Sequence, residues 1–243
     1  MSTQPMKKAG FNQGIHQESS TQKESLGTLR ILKDGRKFRY AQAGAAALSA
    51  GKLGVSKAIN ADHADEIILA AVAIGTKIFD VTVTAGTAIA ANELRDGAFQ
   101  INDATGEGYS YPIEANSAIS ASGTVVSLTL SEGIKVALDT TSQFTLVHNP
   151  WKSVIESTTV ACPIGFPVIA VTALYYYWAQ TGGLGIALMG DATALGTDVI
   201  QDTVTVAGST AIMATTSILP AVGRVHGFAG VDTEYQPILI TID

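Results

Sequence analysis

The alternation of apolar and polar positions predicts β-strands over most of the chain. Between residues 77 and 149 short alternating segments are separated by clusters of Gly, Ser, Asn and Asp. These segments are 77–86, 97–103, 108–115, 123–130, 134–138 and 143–149. Strands at such short, regular spacing are typical of a β-sandwich or β-barrel. The sequence therefore predicts an all-β protein with at most one or two short helices.

The first seventy-five residues are less uniform. Residues 1–28 show no apolar period, and we expect an extended, polar and basic arm there. Residues 29–41 predict two short strands around the Asp34-Gly35 turn, because Asp-Gly is a strong hairpin signal. The Ala-rich segment 41–52 predicts a short helix that ends near Gly51. Residues 64–75 form an apolar run that fits a strand or a helix equally well.

The strand pattern breaks at Pro150, in the segment NPWKSVIESTT, and resumes after it. We place a module boundary there, which gives three parts: the arm (1–28), a first β module (29–150) and a second β module (151–243). Strand signals of the second module lie at 198–208, 210–218, 221–230 and 235–243.

An unusual aromatic run lies in the second module. Residues 175–178 read YYYW, and no charged residue occurs between Ser157 and Gly190. The uncharged run is long enough for a membrane helix of about 20 residues, but prolines and glycines interrupt it and no Lys or Arg flanks it closely. We interpret it as a hairpin with strands at 167–179 and about 184–189, joined by the QTGGLG turn.

Alternation within the first of these strands separates the four aromatic residues into two pairs. Tyr175 and Tyr177 would face one side of the sheet, and Tyr176 and Trp178 the other. One pair can fill the core of the module. The other pair then lies under a second layer of the same chain or against a partner, and the sequence does not choose between them. We identify no convergent polar groups that would make the run a ligand-stacking platform.

Composition points towards covered surfaces. Charged residues make up only 15% of the chain, against roughly 25% in average domains. The net charge of −6 combines +7 over residues 1–57 with −13 over the remainder, since ten of the fifteen Lys and Arg residues lie in the first part. We expect the basic arm to bind an acidic protein surface, a neighbouring copy included, rather than nucleic acid or membrane. A disordered, solubilising tail is the alternative.

Motifs for catalysis or cofactor binding are missing. The sequence contains neither G-x-S-x-G nor H-E-x-x-H, and the segment 44–53 has the wrong glycine spacing for a phosphate loop. Asp62, His63, Asp65 and Glu66 could ligate a metal only if the backbone gathered them, so we interpret them as a solvated acidic segment. We expect Cys162, the single cysteine, to be a small buried apolar residue. We therefore predict no enzyme, cofactor, metal or intrachain disulfide.

Several longer segments resemble virion structural proteins of tailed bacteriophages. They read LKDGRKFRYAQAGAAALSAGKLGV, DVTVTAGTAIAANELRDGAFQINDATGEGYSYPI, PVIAVTALYYYWAQTGGLGIAL and VGRVHGFAGVDTEYQPILITID. The likeness covers roughly residues 28–243, and the segments are similar to capsid decoration proteins, also called auxiliary head or cement proteins. The resemblance implies β-rich, often trimeric modules on the outer capsid surface, which reinforce the shell and carry no catalytic residues.

From this resemblance we expect a non-enzymatic capsid decoration protein with two partners, the major capsid protein and itself as a homotrimer. Its expected location is the outer capsid surface of the virion, with passage through the host cytoplasm during assembly. A receptor- or glycan-binding virion appendage and a β-scaffold glycoside hydrolase are the alternatives. Expected capsid or neighbour contacts are Lys7, Lys8, Lys23, Arg30, Arg36, Lys37 and Arg39. Expected subunit-packing residues are Tyr175, Tyr176, Tyr177, Trp178 and Tyr235.

Overall fold

The computed structural model describes residues 10–158, 160–202, 206–214, 217 and 219–243. About 41% of the chain is strand and the described part has no α-helix, which confirms the predicted all-β class. Its one helical element is the short 3-10 turn Ala61–His63. Lys7 and Lys8, with residues 203–205, 215, 216 and 218 of the predicted strands, lie outside the described residues.

Sixteen strands occur in the described ranges, most of them short. In chain order they are β1 (Leu29–Ile31), β2 (Lys37–Gln42), β3 (Gly54–Val55), β4 (Glu66–Ile67), β5 (Ile78–Thr82), β6 (Ala98–Asp103), β7 (Ser110–Asn116), β8 (Val125–Leu130), β9 (Gln143–Val147), β10 (Ile155–Glu156), β11 (Pro163–Pro167), β12 (Tyr176–Leu188), β13 (Asp198–Gln201), β14 (Thr210–Ile212), β15 (Gly223–Val225) and β16 (Tyr235–Thr241).

The chain divides into two compact units. Unit 1 joins the described residues up to Lys57 with those from Pro150 to Asp243, and unit 2 spans Ala58–Asn149. Unit 2 is thus inserted into unit 1, between two strands that pair directly, because Val55 of β3 lies opposite Ile155 of β10. This division differs from the predicted modules 29–150 and 151–243.

The central strand of unit 1 is β12. Unit 1 is discontinuous in sequence because β12 pairs with one strand that precedes unit 2 and with others that follow it. The first half of β12 pairs with β2, with Trp178 opposite Tyr40, and its second half pairs with β16, with Leu184 opposite Leu239. The curled, half-barrel sheet runs β10-β3-β11-β12-β16-β15-β13-β14, with β1 and β2 attached beside β12. The N-terminal segment therefore completes a sheet whose other strands follow residue 150.

The predicted turn within residues 180–185 is wrong. Instead of reversing, the backbone continues as one thirteen-residue strand, and only its register with β2 shifts between Gln180 and Gly182. Gly183 adopts a φ of +83°, which a glycine tolerates and other residues rarely do. Glycine within a strand pattern often marks a bulge or similar irregularity and not a turn. The glycines of β12 do so here.

The predicted helix over residues 41–52 is also wrong. Residues 37–42 belong to β2, and the segment after it is held by long-range backbone hydrogen bonds in place of helical ones. The N–H of Leu48 donates to the carbonyl of Val171 and the N–H of Gly44 to that of Val154. High helix propensity is a weak prior that tertiary pairing overrides here.

The hairpin predicted over residues 29–41 is confirmed. Strands β1 and β2 pair antiparallel with Leu29 opposite Arg39 and Ile31 opposite Lys37. The turn includes Gly35 at φ +84°, in the left-handed region that the Asp-Gly signal anticipates.

Unit 2 is a nearly closed, barrel-like sheet with the order β4-β9-β6-β7-β8-β5. Alternation is regular in β8 and β9, where every second side chain is buried, as for strands that cover a core with one face. Phe99 is completely buried, and its ring lies 5.4 Å from that of Phe79 and 5.3 Å from that of Phe144. The predicted strand at 134–138 is a bridge only, formed where Leu138 pairs with Val72.

Candidate interaction surfaces

The described part of the arm, residues 10–28, docks on one face of its own unit 1. Phe38, Tyr40 and Trp178 are completely buried and form an aromatic cluster on β2 and β12. The ring of Phe11 meets that of Trp178 edge to face at 5.1 Å. The guanidinium carbon of Arg30 lies 4.8 Å from the centre of the Phe11 ring and 5.5 Å from that of Trp178. Desolvated cations over aromatic faces attract by up to about 2 kcal/mol.

Gln13 is the polar centre of this contact, and only 3% of it is exposed. Its Nε2 donates to the carbonyls of Gln17 and Tyr176, at 2.7 and 2.9 Å, and its Oε1 accepts from the Tyr40 hydroxyl at 2.7 Å. Its backbone carbonyl accepts from the indole of Trp178 at 3.0 Å and from Arg30 Nη1 at 2.8 Å. These bonds satisfy the polar atoms that docking buries.

The far end of the docked segment is held by two further contacts. Ser19 and Tyr176 exchange both backbone hydrogen bonds, at 3.0 and 2.8 Å, and form an antiparallel bridge. The Glu18 carboxylate accepts from the backbone N–H and the hydroxyl of Thr172, at 2.6 and 2.8 Å. Residues 11–19 are therefore anchored at both ends. We name the surface that holds them, formed by Arg30, Phe38, Tyr40, Tyr176 and Trp178, the arm site.

Most of the cations predicted to contact a capsid are engaged within their own chain. Arg39 Nε and Nη2 donate to both carboxylate oxygens of Asp243, at 2.8 and 3.2 Å, and Lys37 Nζ donates to the backbone carbonyl of the same residue. Hydrogen bonds from Arg39 hold the pKa of Asp243 below its usual value. Arg36 pairs with Asp34 at 2.8 Å. Of the predicted cations that the structure describes, Lys23 keeps a largely exposed side chain.

The charge asymmetry takes a different form in the fold. Unit 1 combines the basic N-terminal segment with the acidic C-terminal one, and its twelve basic and ten acidic residues give +2. Unit 2 holds three basic and eleven acidic residues, or −8. The positive charge of residues 30–57 is thus largely balanced inside unit 1, and the strongly acidic part of the molecule is unit 2.

The aromatic run is buried on both faces by its own chain. Tyr177 packs with Ala41, Leu48 and neighbouring apolar residues on one side of β12, and Trp178 with Tyr40 on the other. Both aromatic side chains are completely buried, Trp178 in part beneath the arm of its own chain, and burial raises the pKa of Tyr177. Among the predicted packing residues, Tyr175 and Tyr176 are half-buried and Tyr235 is 45% exposed.

A row of exposed apolar side chains lies where β12 pairs with β16. Leu184 is opposite Leu239 and Ile186 is opposite Pro237, and cross-strand partners share a face. Both leucines and Ile186 are about half exposed, at 54%, 46% and 50%. Tyr235 extends the row along β16. We name these five residues the β12–β16 stripe; the sequence did not single out Leu184, Ile186 or Leu239.

Gly51 helps to position one end of this stripe. A Cβ at Gly51 would lie 2.9 Å from Cε1 of Tyr235 and 3.5 Å from Cγ2 of Ile186, so the tyrosine ring rests on bare backbone. Gly51 also has a φ of +71°, which disfavours any side chain there.

Two ion pairs border the stripe. Next to Leu239, Arg224 donates through Nε and Nη2 to the Asp198 carboxylate at 2.6 and 3.2 Å, which lowers the pKa of that carboxyl. At Leu184, Arg36 and Asp34 line a surface groove of about 310 Å³. Each cation is neutralised by its own carboxylate. The surface is therefore an apolar centre with a polar, locally neutral rim, the usual anatomy of a protein–protein interface.

The described residues contain no metal site and no membrane-spanning helix. No group of three or more His, Cys, Asp and Glu side chains in those ranges has the geometry to hold a metal. Asp62, of the acidic segment, instead accepts a hydrogen bond from the Thr87 hydroxyl. No helix in the described ranges is both long and apolar enough to cross a bilayer. Cys162 is exposed, so the expectation that it is buried is wrong.

Comparison with known proteins does not assign the chain to a family, since no family model, curated protein or solved structure matches it.

Proposed function

We propose that this chain is a non-enzymatic capsid decoration protein that binds the outer surface of an assembled phage head and bridges neighbouring capsid subunits. The observation that carries the proposal is the β12–β16 stripe. Leu184, Ile186 and Leu239 are about half exposed side by side on a strand pair, where a solvated sheet face normally carries polar residues. Contiguous exposed apolar side chains with a polar rim mark interaction sites.

Rigidity supports the same proposal. The stripe lies on the longest strand of unit 1 and on the seven-residue β16, so binding requires little ordering of the backbone. A preformed surface loses less conformational entropy on association than a flexible loop does. The low charge content of the chain also suits a protein whose surface is partly covered in its working state.

The mechanism is stabilisation by mass action. A protein that binds only the assembled lattice lowers the free energy of the lattice and leaves free subunits unchanged. Burial of the stripe would supply affinity, while Lys7, Lys8 and Lys23 remain predicted contacts that influence orientation and association rate. The major capsid protein is the proposed partner, self-association as a homotrimer is proposed alongside it, and the outer capsid surface is the proposed location.

Co-sedimentation with empty capsids that lack this protein tests the proposal. The double variant Leu184→Ser, Leu239→Ser removes two half-exposed leucines. Full burial of a leucine stabilises by about 1.5–3 kcal/mol, so half of that for each gives a loss of about 2 kcal/mol, or a roughly 30-fold weaker Kd. The matched control is Ile78→Ser, an exposed strand residue of unit 2, which we expect to leave Kd unchanged.

Three results would contradict the proposal. Absence of binding to any capsid rejects the capsid partner, and binding to glycans or host cells would then favour a receptor-binding appendage. Saturable binding that the double variant leaves unaltered rejects the stripe as the shell-facing surface. Equal binding to isolated capsid subunits and to assembled shells contradicts the preference for the lattice.

A further inference from the structure

The arm site has the composition of an interface between chains. Trp, Tyr and Arg are enriched among the residues that dominate protein–protein binding energies, and the arm site consists largely of these. Its contact with the arm also combines a buried polar centre, Gln13, with an aromatic anchor, Phe11, that stays 40% exposed. Interfaces combine apolar anchors with several direct hydrogen bonds in this way.

The docked segment behaves structurally as a bound peptide. Residues 11–19 contribute one isolated bridge, Ser19 with Tyr176, and no strand of the sheet. Residues 20–25 connect this peptide to the body, and none of their side chains is buried. The β2–β12 pairing beneath the arm is complete without it, because six residue pairs join these strands directly.

We propose that the arm site accepts residues 11–19 of a second copy, so that neighbouring copies exchange arms when they assemble. Every copy carries the same peptide and the same site, so residues 11–19 of an exchanged arm make the same contacts with the arm site as in the intrachain arrangement. The 20–25 connection changes conformation, and with it the bonds of the Glu24 carboxylate to the Asn12 N–H and of the Lys23 N–H to the Tyr40 hydroxyl. Exchange of an identical element is a low-cost route to oligomers. The inference rests on the proposed function in one respect only: the capsid surface is the place where copies would become neighbours.

The connection limits which neighbours can exchange. Leu26 follows Ser19 by seven residues, and seven extended residues span about 23–25 Å, at 3.3–3.6 Å each. Tyr176 of the second copy, which pairs with Ser19, must therefore lie within about 25 Å of Leu26 in the first. At that distance the local concentration of an arm is set by geometry rather than by bulk protein concentration.

Disulfide trapping in the full chain distinguishes the two arrangements. Ser19 and Tyr176 exchange both hydrogen bonds, so their Cα atoms lie about 5.5 Å apart, within the range that a disulfide bridges. In a Cys162→Ser background, chains with Ser19→Cys are mixed with differently tagged chains that carry Tyr176→Cys. A disulfide between two differently tagged chains then requires that the arm of one chain lies in the arm site of the other. The control partner is Ser122→Cys, an exposed serine of unit 2.

The variants are co-refolded, then oxidised both in concentrated solution and on capsids. We expect the Ser19–Tyr176 pair to give at least five times more mixed disulfide than the control pair in one of these settings. Control-level mixed disulfide in both settings, together with complete intrachain closure of the double variant Ser19→Cys, Tyr176→Cys, overturns arm exchange. Capsid binding without mixed disulfide leaves the proposed function intact and rejects exchange. Mixed disulfide in solution without capsid binding supports arm exchange and rejects the proposed function.

Discussion

Truncation of Gln13 should release the arm while the sheet stays folded. Gln13→Ala removes the acceptor of the Tyr40 hydroxyl, which lies on a completely buried side chain. A buried donor left without a partner costs about 1–3 kcal/mol, and loss of the Nε2 bond to the Tyr176 carbonyl adds to that. The third bond, from Nε2 to the carbonyl of the exposed Gln17, adds little because water can replace it. We therefore take about 2–3 kcal/mol for the total loss of docking free energy. The docked fraction of the arm should therefore fall about 30- to 150-fold relative to the undocked one.

Hydrogen exchange measures this change directly. The amide N–H groups of Ser19 and Tyr176 donate to each other's carbonyls only while the arm is docked. In Gln13→Ala both should exchange faster by the same factor, while amides of β16 keep their protection. Loss of protection across all of unit 1 would mean that the arm is part of the cooperative fold, and would refute the reasoning.

Gln17→Ala is the matched control, because it removes a glutamine from the same segment. The Gln17 side chain is exposed and its Oε1 accepts only the Gly14 N–H, at 2.9 Å. Water replaces such a bond, so we expect less than about 0.5 kcal/mol. Equal effects of the two substitutions would show that Gln13 contributes nothing specific to docking.

Three further substitutions probe the two units. Gly230→Ala places a methyl group on the nearly completely buried Gln236 side chain, so urea denaturation should show unit 1 destabilised by about 1–3 kcal/mol; an unchanged midpoint contradicts the packing. Phe99→Ala empties the centre of the aromatic core of unit 2 and should cost about 3–5 kcal/mol, seen by calorimetry as a lower Tm for that unit; a shift confined to unit 1 would refute this. Asp243→Asn should weaken stability at pH 7, because Arg39 holds the pKa of this carboxyl below its unfolded value. That stability is present above about pH 4 and is lost as pH falls through the lowered folded-state pKa, so the urea midpoints of wild type and variant should converge in acid. Parallel pH profiles for the two proteins would reject the pairing.

Local patterns were sufficient for the elements that depend on neighbouring residues. The Asp34-Gly35 turn, the strands β6 to β9 and the all-β class follow from alternation and turn chemistry, and the structure contains them. Tyr176, Tyr177 and Trp178 were assigned correctly to a strand, whereas Tyr175 lies just outside it, because the strand begins at Tyr176 and not at the predicted residue 167. A two-residue period determines which side chains share a face, but it does not reveal what covers each face.

The features that sequence reasoning missed depend on contacts between distant residues. Tyr40 pairs with Trp178, so that β2 from the N-terminal segment lies beside β12 from the C-terminal part of the chain. No local signal in the sequence predicts this pairing. Glycines 182, 183 and 185 read as a turn, yet β16 and Arg36 pack closely enough to keep the chain extended. The stripe was missed for the same reason, since Leu184 and Leu239 become neighbours only through the β12–β16 register.

The insertion of unit 2 sets an order for folding during synthesis. Residues 58–149 leave the ribosome as a complete set of six sheet strands, whereas β2 at that time has only β1 as a partner. At 5–20 residues per second, on the order of ten seconds pass between the synthesis of Tyr40 and that of Trp178. During this interval β2 lacks the strand β12 that it pairs with in the folded chain, so unit 1 can complete its sheet only after unit 2 has been synthesised.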